Sequence, residues 1–148
     1  RLFQLIKPKV AIFGKKDAQQ LFLIKEMVNK KNYPIKIIEG LTVRDNLGLA
    51  LSSRNLLLSK SGIEKARLIN QILKQAKQDF SETKELGILG KLKSNYSNEE
   101  IQIDYLEILD SKSFLEPSKK TKNYIIIMAA YIENIRLIDN IEFRLEIV

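Results

Sequence analysis

Two short segments of the chain combine residue types that bind phosphate. The first, Gly48-Leu-Ala-Leu-Ser-Ser-Arg-Asn55, places two hydroxyl groups directly before a guanidinium group. Arg54 offers a rigid fork of donors for phosphate oxygens, and Ser52 and Ser53 can hydrogen-bond to the same anion. The second segment, Phe13-Gly-Lys-Lys-Asp-Ala-Gln-Gln20, follows an apolar run and supplies glycine and lysine. Two such segments in one chain predict a nucleotide site.

Each segment also has a structural explanation. Taken alone, the run from Gly14 to Asp17 is more simply explained as a surface turn with a helix N-cap and two solvated lysines. The segment with Ser52 and Arg54 fits a serine cap and a structural arginine equally well. Its polar residues are, however, flanked by leucines on both sides. A plain surface loop does not need so much apolar surface around it.

Two further polar clusters are weaker candidates for functional residues. Gln19 and Gln20 are neighbours, so on a helix they point to different faces, and one of them can hold a hydroxyl or carboxylate in a crevice. A polar first helical turn is the simpler explanation for this pair. Late in the chain, Arg136 and Asp139 suggest a structural ion pair that ends a strand in a turn.

Composition limits the classes of function. The chain has 148 residues with a net charge of +7, of which 45% are hydrophobic and 29% are charged, as in ordinary globular domains. No apolar run approaches the roughly 20 residues of a membrane span. The absence of cysteine excludes thiol chemistry and fits a cytoplasmic protein. The absence of histidine excludes histidine bases, histidine metal ligands and serine–histidine triads within these residues.

The first part of the sequence has the pattern of a parallel α/β unit. The end of a helix, Leu2 to Ile6, stops before a proline, and the buried strand Val10 to Phe13 ends at a glycine. Asp17 is placed to cap a helix over 18–30, and Ile35 to Ile38 is predicted as a second strand. Ligands of such sheets lie beyond the carboxyl ends of the strands, where the glycine–lysine segment stands.

The second part has the pattern of an α+β domain. Apolar spacing predicts a long helix over 61–80 with residues 63, 66, 69, 72, 73 and 76 inward, then a weaker helix over 82–94. Strands are predicted around 101–106, over 124–131 and over 136–147. The sequence thus predicts a partial Rossmann-like α/β unit at 1–43, followed by a small α+β domain with an antiparallel sheet at 44–148.

Two strands cannot form the core of a doubly wound sheet. The sequence also begins inside a helix and without methionine. We therefore expect it to be the carboxy-terminal portion of a longer protein, or to pack against other material.

The segments together resemble the pantothenate synthetase (pantoate–β-alanine ligase) family. Phe13 to Gln20 resembles its F-G-x-K-D-x-Q-Q motif, Gly48 to Asn55 its G-L-A-x-S-S-R-N motif, and Arg136 to Asn140 its late R-L-I-D-N motif. The likeness extends from Leu2 to about Phe143, and three ordered motifs make it specific.

The resemblance implies an ATP-dependent ligase that condenses pantoate with β-alanine through pantoyl adenylate, with Mg²⁺ accompanying ATP. It implies catalytic roles for Lys16 and Arg54, which are the fixed cations available for phosphate charge. Gln20 matches a pantoate-binding glutamine. The positions that match the family's ATP-binding residues are Gly14, Lys15, Lys16, Asp17, Val43, Leu51, Ser52, Ser53 and Arg54. No residue matches a protein metal ligand.

The chain also departs from the family pattern. Lys15 replaces a usual acidic residue, and the amino-terminal H-I-G-H-type motif and a second pantoate-binding glutamine are missing. We therefore expect these residues alone to be nearly inactive. Members of the family are commonly dimers, so the resemblance implies a homodimeric full-length enzyme. Two alternatives stay open: a non-catalytic domain that binds a nucleotide or a partner chain, and a basic nucleic-acid-binding module, which sparse arginines and the lack of tryptophan disfavour.

Overall fold

The computed structural model describes residues 1–146. The chain divides into two compact units, of which the first covers Arg1–Thr42 and the second begins at Val43. The prediction of a parallel α/β unit followed by an α+β unit with an antiparallel sheet is confirmed. The part of the prediction that places Ile147 in the last strand lies outside the described residues.

The first unit is a βαβ unit preceded by a short helix. Its elements are α1 (Leu2–Ile6), β1 (Val10–Gly14), α2 (Ala18–Lys30) and β2 (Lys36–Gly40). The two strands are parallel and in register from Val10 opposite Lys36 to Gly14 opposite Gly40. The predicted positions of all four elements are confirmed to within two residues.

Few side chains of the first unit are buried. Leu21 and Val28, which share one face of α2, are its only buried apolar residues among those described. The strands leave Val10, Ile12 and Ile38 exposed, with Ile12 at 69%. A sheet of two strands has one helix to cover it here, so one set of its alternating side chains remains in solvent.

The second unit packs two helices on an antiparallel sheet. Its elements are a 3₁₀ helix (Ser53–Leu57), α3 (Lys60–Thr83), α4 (Gly87–Tyr96), β3 (Gln102–Asp110), β4 (Asn123–Ile132) and β5 (Ile135–Arg144). The strand order is β3-β4-β5. The core joins the inward face of α3, with Ala66, Ile69, Ile72, Leu73 and Ala76, to alternate residues of β4. The predicted inward face is confirmed except that Ile63 is only partly buried.

The predicted boundary between the two helices of this unit is wrong. Helix α3 continues to Thr83, and α4 begins at Gly87 rather than at Glu82. The break comes from Lys84, which adopts the left-handed conformation with φ 60° and donates its backbone N–H to the carbonyl of Phe80. The predicted boundaries missed this break because left-handed caps are usually glycine or asparagine, and this one is lysine.

The turn between β4 and β5 holds the start of α3. Glu133 and Asn134 both have positive φ, as a two-residue hairpin turn requires. The carboxylate of Glu133 accepts hydrogen bonds from the hydroxyl of Ser59 and, at 2.8 Å, from its backbone N–H. The Ser59 hydroxyl in turn accepts from the N–H of Gly62 at 3.0 Å and so caps α3.

Among residues 1–146, no helix is both long enough and apolar enough to cross a membrane.

Candidate functional site

The first candidate segment lies at the carboxyl end of β1. The N–H of Lys15 donates to the carbonyl of Gly40 at 2.8 Å, so the segment leaves the sheet beside the end of β2. A Cβ atom on Gly14 would meet nothing within 4 Å, so the space above this glycine is open. The segment therefore presents its backbone where ligands of parallel sheets bind.

The prediction that the Asp17 side chain caps α2 is wrong. Asp17 stands at the N-cap position, but its side chain makes no capping hydrogen bond, and the first turn of α2 carries no acidic residue. Its φ and ψ angles of −91° and 60° differ from the extended conformation that a capping side chain uses. The first turn of α2 therefore adds no carboxylate of its own to offset the positive end of the helix dipole.

The two lysines of this segment have different surroundings from a plain solvated pair. Both Lys15 and Lys16 are partly buried. Lys15 forms an ion pair with Glu39 at 3.5 Å, and Glu39 also binds Lys25. The hydrogen bond from Lys25 is the largest cause of the lowered pKa of Glu39, and attraction to Lys15 adds to it against the effect of burial. The charge of Lys15 is thus partly balanced by Glu39.

Both glutamines of the segment lie at the surface. Gln19 and Gln20 are exposed in the first turn of α2. Adjacent helix positions point in different directions, as the sequence indicated, and neither amide is buried within its own unit. Gln20 is accessible to a small molecule that approaches this end of the first unit.

The second candidate segment forms a loop and a 3₁₀ helix in the second unit. Gly48 has φ +93°, and a Cβ atom there would lie 2.7 Å from Oδ1 of the buried Asn70. Only glycine fits this position without strain, because the left-handed conformation and the close approach to α3 coincide. The presence of glycine at the start of this segment therefore has a steric explanation.

The serine cap and the structural arginine, which the purely structural explanation of this segment requires, are both present. The Ser52 hydroxyl accepts from the N–H of Arg54 at 3.3 Å and caps the 3₁₀ helix. One guanidinium nitrogen of Arg54 donates to the carbonyl of Arg136 at 3.0 Å. The side chains of Ser53 and Arg54 are exposed, and a single bond leaves most of the five guanidinium donors for a ligand.

Apolar side chains around this segment are also exposed. Val43 is 66% exposed and Leu51 is 51% exposed, and on the 3₁₀ helix Leu56 reaches 87%. The expected site residues of the second unit, which are Val43 and Leu51 to Arg54, therefore include accessible apolar groups beside accessible polar ones. Apolar contacts of this kind suit the flat face of a heteroaromatic ring.

The predicted ion pair between Arg136 and Asp139 is wrong. Arg136 binds Asp104 on β3 at 2.9 Å, and Asp139 binds Arg44 at 2.5 Å. Both residues lie inside β5 rather than in a turn. Residues three apart on a strand point to opposite faces, so this spacing does not bring their side chains together.

Sequence reasoning missed three of the four charged residues that hold the second segment and gave the fourth the wrong partner. The three are Arg44, Asp45 and Arg67, the fourth is Asp139, and together they form two ion pairs around Gly48. One signal was present in the sequence, since Asp139 follows Leu137 at the two-residue spacing that marks the buried side of a strand. A carboxylate at such a position needs a partner.

A parallel βαβ unit whose first strand ends in a glycine–lysine loop is the building block of Rossmann-like folds, the nucleotidyltransferase type among them. The family described as Pantoate-beta-alanine ligase matches residues 1–142. A pantothenate synthetase of Vesicomyosocius okutanii is 37% identical over 142 residues, which are 96% of this chain and 50% of that protein. One of Clostridium botulinum is 41% identical over 149 residues, covering 98% and 53%. The chain belongs to the pantoate–β-alanine ligase family.

Solved structures agree with this assignment. The pantoate–β-alanine ligase of Thermus thermophilus matches with a TM-score of 0.82 at 33% identity, over 95% of this chain and 52% of that one. The enzyme of Francisella tularensis, complexed with beta-gamma ATP and β-alanine, matches with a TM-score of 0.66 at 34% identity, over 95% and 46%. The chain spans about half the length of the relatives it matches.

Proposed function

We propose that this chain is part of an enzyme that condenses pantoate with β-alanine at the expense of ATP. The observation that carries the proposal is the family match over nearly the whole chain, with both phosphate-type segments inside it. The ATP-type ligand and β-alanine in the Francisella tularensis relative support the choice of substrates.

The proposed reaction has two steps. A carboxylate oxygen of pantoate attacks the α-phosphorus of ATP, which forms pantoyl adenylate and releases pyrophosphate. The amine of β-alanine then attacks the acyl carbon, which forms the amide and releases AMP. Lys16 and Arg54 act as catalytic cations that stabilise the charge developing on the phosphates, since fixed positive groups act most strongly where charge appears in the transition state.

The remaining site residues bind substrates. Backbone groups at Gly14, Lys15 and Asp17 approach ATP closely, because the open space at this glycine admits a ligand. Ser52 and Ser53 hold the triphosphate, while Val43 and Leu51 supply apolar contact. Gln20 binds pantoate through its amide.

Mg²⁺ fits this proposal as a companion of the substrate. Residues 1–146 contain no group of three or more Asp, Glu, His or Cys side chains that could hold a metal ion. In this proposal the ion would be bound mainly by phosphate oxygens, as is usual for Mg²⁺ with nucleotides. It would neutralise the charge of the departing pyrophosphate.

Activity requires a polypeptide corresponding to the rest of the relatives' length. We assign residues 1–43 to a nucleotide-binding domain and 44–148 to a lid domain, and we propose a cytoplasmic, homodimeric full-length enzyme. Because the 148 residues contain no histidine, they lack the H-I-G-H-type motif that the family resemblance assigns to phosphate binding. We therefore expect no turnover from these residues alone.

The experiment is a chimera. The amino-terminal half of the Clostridium botulinum relative is joined to this chain, and pantothenate and AMP are measured with pantoate, β-alanine and ATP. We expect equal amounts of both products from the chimera and none from either half. Lys16→Ala should lower kcat by about 100-fold, whereas Lys31→Ala, at an exposed lysine beyond the end of α2, should leave it unchanged. A soluble, folded chimera that binds ATP without forming pantothenate would favour the non-catalytic alternative.

A further inference from the structure

The residues before Gly48 fold back on the candidate segment. Arg44 and Ala50 form an isolated antiparallel bridge, and the N–H of Leu51 donates to the carbonyl of Val43 at 2.9 Å. Inside this loop the N–H of Gly48 donates to the carbonyl of Asp45 at 3.0 Å. The conformation of Leu51 to Arg54 is therefore coupled to that of residues 43–50, which we call the clasp loop.

One ion pair connects the clasp loop to β5. The guanidinium of Arg44 binds the Asp139 carboxylate through two parallel bonds of 2.5 and 2.8 Å. The same guanidinium donates to the carbonyls of Gly48 at 3.0 Å and Asn140 at 3.3 Å. The Asp139 side chain is only 3% exposed. A carboxylate this deeply buried depends on its partner, because an unpaired buried charge is strongly unfavourable.

A second ion pair connects the clasp loop to α3. Oδ2 of Asp45 accepts from Nε and Nη2 of Arg67 at 3.2 and 3.1 Å. Its Oδ1 accepts the N–H groups of Leu47 and Leu49, both at 2.9 Å. One carboxylate thus organises the turn and attaches it to the helix. Two anchors on different elements fix the loop more firmly than either alone.

We propose that Arg44 and Asp139 are positioning residues for the Leu51–Arg54 segment, holding it in the conformation that receives the triphosphate. The inference rests on the proposed function. The two residues act through the loop and do not touch substrate. The other end of the segment is attached to the same strand, where Arg54 bonds the carbonyl of Arg136. The late motif in β5 therefore serves as the support of the earlier, phosphate-type motif.

The Arg44 guanidinium makes several hydrogen bonds at once, so its replacement by lysine tests whether those bonds hold the loop. Lysine keeps the positive charge but cannot reproduce two parallel bonds to a carboxylate together with bonds to two carbonyls. Arg44→Lys should therefore preserve the fold and loosen the loop. Asp139→Asn keeps the size of the side chain and removes the charge that Arg44 binds. The matched control is Asp104→Asn, which breaks the exposed ion pair with Arg136 in the same sheet.

Hydrogen exchange measures the anchoring directly in the 148-residue chain. In Arg44→Lys and Asp139→Asn, we expect protection of the Gly48, Leu49 and Leu51 amides to fall about tenfold. Protection of the Ile126 amide in β4 should not change, which separates local loosening from global destabilisation. Asp104→Asn should change neither. Unchanged protection in the loop of the first two variants, or an equal loss in β4, would overturn the anchoring.

Kinetics of the chimera test the link to ATP. Arg44→Lys should raise the KM for ATP about tenfold with a smaller change in kcat, and Asp104→Asn should leave both unchanged. Identical kinetics in Arg44→Lys, despite a loosened loop, would overturn the positioning role. A parent chimera that folds but forms no pantothenate would instead overturn the proposed function, and the exchange result would still decide whether the ion pair anchors the loop.

Discussion

The guanidinium of Arg54 donates a hydrogen bond to the backbone carbonyl of Arg136, with a distance of 3.0 Å between nitrogen and oxygen. The bond spans 82 residues of sequence and joins the exposed 3₁₀ helix to the start of β5. It supports a structural role for Arg54, and it also fixes the direction of a guanidinium whose further donors are available to a ligand. The two roles predict different magnitudes for the same substitution.

Arg54→Ala should reduce activity far more than stability. Loss of one exposed hydrogen bond should lower the free energy of unfolding by no more than about 1 kcal/mol. Loss of a cation that stabilises phosphate charge should lower kcat of the chimera by about 100-fold. Urea unfolding and pantothenate formation measure the two effects. Arg144→Ala, which removes an exposed arginine near the end of β5, is the control and should change neither. A stability loss without a kinetic effect would leave Arg54 with the structural role alone.

Two glycine substitutions should have opposite effects on stability. Gly48→Ala places a Cβ 2.7 Å from Asn70 Oδ1 at a φ of +93°, and we expect a loss of about 1–3 kcal/mol in the free energy of unfolding. Gly90 lies in α4 with open space around it, so Gly90→Ala should stabilise by about 1 kcal/mol. Urea unfolding of both variants decides this. A neutral result at position 48 would mean that the loop relaxes there without cost.

The sequence predicted elements well where the signal was local. The apolar spacing of Leu21, Ile24 and Val28 predicted α2 with the bounds that the structure has. The inward face of α3 followed from the same periodicity, because its apolar residues recur at the helical period. The ends of α3 and α4 were less accurate, since they depend on one lysine in a left-handed conformation.

The partners of charged residues were not predictable from the sequence. Arg44 and Asp139 are 95 residues apart, and only the packing of the clasp loop against β5 brings them together. The sequence offered Arg136 as a nearer partner for Asp139, but side chains three apart on a strand diverge. The two segments with phosphate-binding residue types, in contrast, were recognised from the residues they contain and the order of those residues. The binding roles of these residues remain predictions.

A buried leucine and an exposed one should differ strongly in their contribution to stability. Leu73 is fully buried in the core between α3 and the sheet, so Leu73→Ala should cost about 2–5 kcal/mol through lost burial and the cavity left behind. Leu56 is 87% exposed, so Leu56→Ala should stay within about 0.5 kcal/mol. The midpoints of urea unfolding compare them. A large effect at Leu56 would show that this side chain packs against something in solution.

The hydrogen bonds between Ser59 and Glu133 make the stability of the protein depend on pH. The side-chain hydrogen bond from Ser59 is the largest cause of the lowered pKa of Glu133, followed by its backbone N–H, while desolvation opposes them. A carboxyl whose folded pKa is lowered contributes stability above its unfolded pKa, near 4.5. That contribution is lost as the pH falls through the folded pKa, because protonation removes the negative charge that strengthens the hydrogen bonds from Ser59.

Glu133→Gln should therefore be less stable than the original chain at pH 7, and the difference should shrink as the pH falls below about 4.5 and vanish below the folded pKa. Urea unfolding at a series of pH values from neutral to acidic measures the difference. Ser59→Ala should behave similarly but keep a residual deficit in acid, because it also removes the cap on Gly62. The control Glu64→Gln, at an exposed position of α3, should give a curve parallel to that of the original chain. If the loss of stability in Glu133→Gln stays constant with pH, the stabilisation by these hydrogen bonds does not depend on the charge of Glu133.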